Sequence, residues 1–287
     1  MNHKTEINPL DKDLIISHVT GKSREFLISH PEFKIGRIEN WKIKRLFKKR
    51  AKGVPLAHLT GHKELFGLYF AVNKHTLIPR PDTELMVELA LSHITYHISR
   101  NKPVTIIDVG AGSGCIPISI AKNICKSELS GNQNIIATDI SRGALRVAKK
   151  NAKKHNAPVT FLHGNLIDPV MESSELRTPN SELLITANLP YLTEEQFQNE
   201  PSIKHEPKSA LVADKAGLAL YEELLKQIAQ ITKTYNLKPI TYLEIDPSQT
   251  MPISNMAKTL LPNCTVTIHQ DLAGLDRVVE ISIPKNS

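Results

Sequence analysis

The tetrapeptide Asn188-Leu189-Pro190-Tyr191, within the run ITANLPYLTEEQ, holds the residues whose types and order first suggest chemistry. An apolar stretch that reads as a buried strand stops there at an asparagine. Two hydrogen-bonding groups and an aromatic face then stand where a parallel strand opens onto solvent, a place suited to holding a ligand. The bland alternative is a strand-to-loop exit closed by an Asx turn.

A second group lies upstream in TIIDVGAGSGCIPISIA, where Gly110, Ala111, Gly112, Ser113 and Gly114 fall between an apolar run and a helical pattern. Glycines there let the turn be tight and let a ligand lie against the backbone beside a helix N-terminus. The spacing is G-x-G-x-G, not the G-x-G-x-x-G of dinucleotide pyrophosphate sites, and that separates two cofactor classes. Asp139 ends the run NIIATDIS. A carboxylate at such a strand end can accept hydrogen bonds from both hydroxyls of a ribose. Capping the next helix is its other reading, although Ser141 can do that. In FLHGNLID, Asn165 and Leu166 are placed to flank an adenine ring, one by hydrogen bonding and one by packing.

These groups require strand ends on one edge of a sheet, and the pattern from Asp82 onward supplies them. DTELMVELALSHITYHISR has a capping residue, acids in its first turn and apolar residues at helical spacing. After it, VTIIDVG, NIIATDI, VTFLHG, LLITANLP and ITYLEID alternate with helical segments, which predicts a parallel sheet covered on both faces. TVTIHQD and RVVEISIP are too close together for a crossover helix, so they should be antiparallel. The expectation is a seven-stranded, mostly parallel α/β domain over residues 82–287 with a terminal hairpin, and CKSELSGNQN and MESSELRTPNSE as polar loops. Residues 1–52 read as a small helical domain. Residues 53–81, with the alternating KELFGLYFAVN and the helix-excluding LIPRP, read as a β-hairpin or extended linker.

Composition narrows the class. The chain of 287 residues is 40% hydrophobic and 23% charged, which suits a globular protein large enough for one large domain or two ordinary ones. No stretch has the apolar length of a membrane span, and the first twenty residues lack a signal peptide's apolar region, so a cytoplasmic protein with no membrane partner is expected. Cys115, Cys125 and Cys264 show no C-x-x-C spacing and are expected to be small buried hydrophobes. The twelve histidines contain no H-E-x-x-H motif, and no metal is expected. Residues 1–78 carry a net charge of +8 and the remainder −1. The excess sits largely in WKIKRLFKKRAKG, either a basic face for nucleic acid or a solvated helix whose Ile43, Leu46 and Phe47 pack inward.

Asp108 to Gly114, Asp139 and Asn188-Leu189-Pro190-Tyr191 together resemble the layout of class I S-adenosylmethionine-dependent methyltransferases. The resemblance implies a Rossmann-like fold. It implies that Gly110 to Gly114 and Asp139 bind S-adenosyl-L-methionine, with Asn165, Leu166 and Asn188 bordering the same ligand. Relatives with Asn-Pro-Pro-Tyr or a close variant methylate planar NH2 groups of bases or of glutamine. Such a nitrogen is a poor nucleophile because its lone pair is delocalised. The Asn188 side-chain oxygen and the Leu189 carbonyl can accept its two N–H bonds, Pro190 fixes the chain direction and Tyr191 packs on the planar group. Leucine at 189 departs from the commoner proline and leaves that peptide less rigidly held.

Other segments choose between base and glutamine. IPRPDTE (Ile78 to Glu84), HEPKSAL followed by GLALY (Glu206, Pro207, Ala210, Leu211, Gly217, Leu218, Tyr221), LEIDPSQ and DLAGLDRVV are similar to ordered motifs of the peptide chain release factor glutamine-N5 methyltransferases. The resemblance covers nearly the whole chain. It implies a helical N-terminal domain that recognises the protein substrate, and peptide chain release factors, through the glutamine of a Gly-Gly-Gln loop, as partner. Arg80 and Glu84 either order the pocket wall or pair with each other as a structural cap. VADKAG lacks the family's double glycine, an alteration expected to stay within a loop. Rival readings are a glutamine methyltransferase acting on a ribosomal protein, a DNA or RNA base methyltransferase, and a non-catalytic nucleotide-binding module. Aromatics at 5% offer little for stacking flipped bases, so nucleic acid is not the expected substrate, though the basic helix could contact it.

Overall fold

The computed structural model describes residues 7–126, 133–173 and 181–284. The polar segments 127–132 and 174–180 lie outside the described residues. Helices Pro9–Thr20, Arg24–Ser29, Arg37–Arg50 and Leu56–Thr60 come first, followed by the antiparallel hairpin β1 (His62–Leu65) and β2 (Leu68–Ala71). The first helix starts where the Asn8 side chain accepts from Leu10 N–H, and it ends at the left-handed Gly21. Ion pairs Arg50–Asp11 (2.6 Å) and Arg24–Asp13 (3.1 Å) tie the first helix to its neighbours. In the basic helix Ile43 is buried and Leu46 and Phe47 are half-buried, whereas Trp41 is exposed.

The main sheet contains β3 (Val104–Val109), β4 (Asn134–Asp139), β5 (Thr160–His163), β6 (Glu182–Ala187), β7 (Ile240–Glu244), β8 (Thr265–Gln270) and β9 (Asp276–Ser282). Their spatial order is β5-β4-β3-β6-β7-β9-β8, with β9 antiparallel to both of its neighbours. All seven expected strands are present, and the last two pair antiparallel as their short connection requires. Residues along β3 and β6 alternate between two apolar layers. Ile106 and Leu184 face helices Thr83–Ile98 and Cys115–Lys126, and Ile107 and Ile185 face Ala219–Tyr235 and Thr250–Leu260. The order runs outward in both directions from the β3–β6 pair. A crevice therefore opens at the carboxyl ends of those two strands, where open α/β sheets take ligands.

One buried amide fastens the hairpin to this edge. Asn151, fully buried on helix Arg142–His155, accepts from Ala71 N–H (2.8 Å) and donates to the carbonyls of Ala71 (3.0 Å) and Ser113 (2.8 Å).

Two local expectations are corrected, and one loop shows strain. Asp82 precedes helix Thr83–Ile98 in helical geometry without a side-chain capping bond, because its carboxylate faces Arg277 at 3.4 Å. Cys115 is buried, but Cys264 is only partly so; the Cys125 side chain lies outside the described set. In the loop that lacks the double glycine, Lys215 and Ala216 take left-handed conformations (φ 54° and 56°). A side chain there costs about 1–2 kcal/mol, partly offset by the entropy a glycine loses on folding. Ala216 is exposed, so Ala216→Gly should stabilise the fold by about 0.5–1 kcal/mol, read as a higher urea midpoint at unchanged m-value.

Candidate functional site

The glycine loop follows β3, and its backbone is fixed from β4. The N–H groups of Gly110 and Ala111 both donate to the Thr138 carbonyl (2.9 and 2.8 Å), and Gly112 N–H donates to one Asp139 oxygen (2.8 Å). The other Asp139 oxygen accepts from Ser141 N–H (2.7 Å). Ser141 caps helix Arg142–His155 through its hydroxyl, so the carboxylate is not the helix cap. Each carboxylate oxygen keeps a lone pair for a ligand hydroxyl. Burial raises the Asp139 pKa, against the pull of the Ser141 and Gly112 N–H groups. A Cβ on Gly110 would come within 3.2 Å of Leu189 Cδ2, so the loop and the tetrapeptide meet in tight contact there.

Gly110, Ala111, Gly112, Ser113, Asp139, Asn165, Leu166, Asn188, Leu189 and Pro190 line one inner crevice. Gly114 does not. Its Cβ position lies 2.9 Å from Ile118 Cδ1 and 3.2 Å from Ala148 Cβ, so this glycine permits two helices to pack beneath the loop. Asn165 donates to Glu223 Oε1 (2.6 Å), which leaves its carbonyl oxygen as the end able to meet a ligand amine. Leu166 is buried and holds a left-handed φ of 44°.

Tyr191 lies on a second, outer crevice of about 530 Å³, whose wall includes Leu192, Glu195, Gln196 and Asn199. Leu77, Arg80, Asn188, Leu189 and Ala210 belong to both crevices. Asn188 therefore stands at the junction. Its Nδ2 donates to Thr83 Oγ1 (3.3 Å), and its Oδ1 is buried with no hydrogen-bond partner among the described residues. A buried acceptor left without a donor costs about 1–3 kcal/mol, and such an atom at a crevice junction marks where a ligand N–H fits.

Packing holds the peptide that a proline would otherwise have stiffened. Leu189 is buried, and its carbonyl receives the longer limb (3.3 Å) of a hydroxyl bond that Tyr221 directs mainly at the Glu244 carbonyl (2.5 Å). The Tyr191 carbonyl accepts from Gln249 Nε2 (3.1 Å). Burial, with Glu244 nearby, pushes the Tyr191 hydroxyl up to about 12, so it remains a neutral aromatic surface.

Arg80 and Glu84 do not pair. Arg80 binds the buried Glu206 (2.5 Å), whose other oxygen accepts from Ile78 N–H (2.8 Å), while Glu84 accepts from Phe66 N–H (2.8 Å) in the hairpin turn. Arg80 still lines both crevices, so the pocket-wall role fits it and not Glu84. Reading the sequence assigned no role to Thr83, Glu206, Gly217 or Gln249. All four stand in the motifs of the resemblance, but the hydrogen-bond partners of Thr83, Glu206 and Gln249 lie 58 to 128 residues away along the chain.

The expectation of no metal passed over two histidine pairs at i, i+4 spacing, His58/His62 and His93/His97. Among the described residues no three His, Cys, Asp or Glu side chains gather as a metal-binding group. No helix among them is long and apolar enough to cross a membrane.

A site built from a glycine loop, a strand-end carboxylate and a polar tetrapeptide fits what is found by comparison with known proteins. The sequence model of the PrmC N-terminal domain matches residues 2–61, and that of a methyltransferase domain matches residues 100–236. The release factor glutamine methyltransferase of Bacillus anthracis is 30% identical over 93% of this chain and 90% of its own length. That of Enterococcus faecalis is 36% identical over 78% of this chain and 74% of its own. The hMettl16 catalytic domain, solved with a MAT2A 3′UTR hairpin, shares the fold at a TM-score of 0.55 and 14% identity, covering 94% of this chain and 93% of the other. By these similarities in sequence, extended over both its helical start and its sheet, the chain belongs to the release factor glutamine methyltransferase family.

Proposed function

We propose that this protein transfers a methyl group from S-adenosylmethionine to the side-chain amide nitrogen of the glutamine in the Gly-Gly-Gln motif of peptide chain release factors. The observation that carries the reading is the partnerless Asn188 Oδ1 at the junction of two crevices. The inner crevice suits S-adenosylmethionine. The bare Gly110 backbone would allow close approach, Asp139 would meet the ribose, and Asn165 and Leu166 would border the adenine. When bound, that cofactor supplies an electrophilic sulfonium methyl.

The chain's own residues prepare the nucleophile. Asn188 Oδ1 and the Leu189 carbonyl take the two N–H bonds of the glutamine amide, which raises electron density on its nitrogen and aims the lone pair along the junction. Tyr191 supports the amide plane from the outer crevice. The methylated amide is a strong acid and loses one of its two N–H protons to water, so no strong base is needed, and orientation and preorganised acceptors supply most of the acceleration. We assign recognition of the release factor body to the helical segment 1–52, with 53–81 as linker and 82–287 as the methyltransferase domain.

The test is incubation with labelled S-adenosylmethionine and purified release factors, beside duplex DNA and ribosomes. Label is expected on the release factor alone and should vanish when its Gly-Gly-Gln glutamine is replaced. Label on a ribosomal protein or on nucleic acid instead would overturn the assignment.

A further inference from the structure

We infer that Thr83 and Glu244 are positioning residues that hold the NH2 end of the Asn188 amide away from the crevice junction, so that its oxygen meets the incoming amide. The inference rests on the proposed transfer to a glutamine amide. A carboxamide is nearly symmetric in shape, and a half-turn about its last torsion exchanges an acceptor for two donors. With oxygen at the junction, Asn188 can accept from a substrate NH2. With nitrogen there, two NH2 groups would face each other and the site would lack its acceptor.

The geometry breaks that symmetry from behind. Asn188 Nδ2 donates to Thr83 Oγ1 at 3.3 Å, and Thr83 is 2% exposed. A hydroxyl can accept or donate, so Thr83 alone would not choose. Glu244, 1% exposed at the end of β7, lies close enough to the Thr83 hydroxyl and the Asn188 amide that hydrogen bonding from both pulls its pKa down. Above the pKa of about 7 to which burial raises it, Glu244 is ionised and only accepts. The Thr83 proton is thereby drawn toward Glu244, and its oxygen is left as the acceptor for Asn188 Nδ2. Glu244 Oε2 has no hydrogen-bond partner among the described residues, so a donor turned its way is favoured over the Asn188 oxygen. Burial raises the Glu244 pKa to about 7, while Thr83, Arg277 and Asn188 pull it down and Asp82 pushes it up. The inference gives a task to two motifs that cofactor binding does not use, IPRPDTE through Thr83 and LEIDPSQ through Glu244.

The experiment is a double-mutant cycle on full-length protein with release factor as substrate, measuring kcat, KM and cofactor affinity. Thr83→Val should lower kcat by about 30-fold with KM and cofactor affinity within about twofold, the pattern of an interaction made in the transition state. Thr83→Ser, which keeps the hydroxyl, should recover to within about threefold of wild type. In an Asn188→Ala background, Thr83→Val should cost less than about twofold, because the group it orients is gone. Glu244→Gln, whose amide can donate to Thr83, should behave like Thr83→Val in both backgrounds and carries the test if the valine variant does not fold. Losses that multiply independently of Asn188, or a serine variant as slow as the valine one, overturn the inference and leave the proposed function standing. Wild-type turnover by Asn188→Ala itself would remove the reading on which the inference rests.

Discussion

Replacing Asn188 with alanine is expected to slow methyl transfer by about 100-fold or more, the usual cost of losing one oriented hydrogen-bonding group at a reacting centre. The amide nitrogen of glutamine reacts only when its delocalised lone pair is steered, and in the proposed transfer Asn188 is one of two acceptors that do so. Its Oδ1 has no competing partner among the described residues, so the full effect of removing it falls on the bound substrate. Cofactor affinity should stay within a few-fold, because the glycine loop and Asp139 are fixed to each other independently of Asn188. Single-turnover rates at saturating release factor, beside equilibrium binding of the cofactor, separate the two effects. A variant that turns over like wild type would rule out the acceptor role.

The second large effect concerns stability. Gly217 holds a left-handed φ of 81°, and an added Cβ would lie 1.9 Å from the Tyr191 carbonyl oxygen and 2.6 Å from its carbon. The torsion alone is not prohibitive, since Lys215 and Ala216 beside it hold left-handed angles with side chains attached. The overlap with backbone is what cannot be relieved locally. The Tyr191 carbonyl also accepts from Gln249 Nε2, and that amide nitrogen lies 2.7 Å from the same Cβ position. Gly217→Ala should therefore destabilise the fold by at least ~3 kcal/mol and displace the tetrapeptide, so that the folded fraction also loses activity. Denaturant titration with an activity assay on the folded fraction tests this. An unfolding midpoint equal to that of wild type would contradict it.

The contrast between Gly217 and Ala216 shows what the sequence could convey. Strands and helices declare themselves through local periodicity, so the seven strands and their antiparallel ending were legible from VTIIDVG to RVVEISIP, though not their order across the sheet. The glycine loop, Asp139 and the tetrapeptide were legible for a related reason: each follows a strand, and strand ends of a parallel sheet share one edge. Gly114 was placed in the right loop, but its neighbours show that it serves helix packing instead of the crevice. Pairings over long separations left no local mark. Arg80 stands 126 residues from Glu206, whereas Glu84, four residues away and its partner in one of the two roles left open by the sequence, is taken up by the hairpin turn. Asp82 has the residue type of a helix cap, yet Arg277, brought close only by the folded sheet, draws its carboxylate elsewhere. Left-handed angles at Lys215 and Ala216 are not visible without glycine to announce them.

The buried amide of Asn151 makes the hairpin something other than a tether. Because one side chain grips both the last hairpin residue and the glycine loop of the inner crevice, separating the hairpin from the sheet would pull a rivet out of the pocket floor. Trimming residues 62–71 should thus harm the inner crevice even though none of them belongs to its wall.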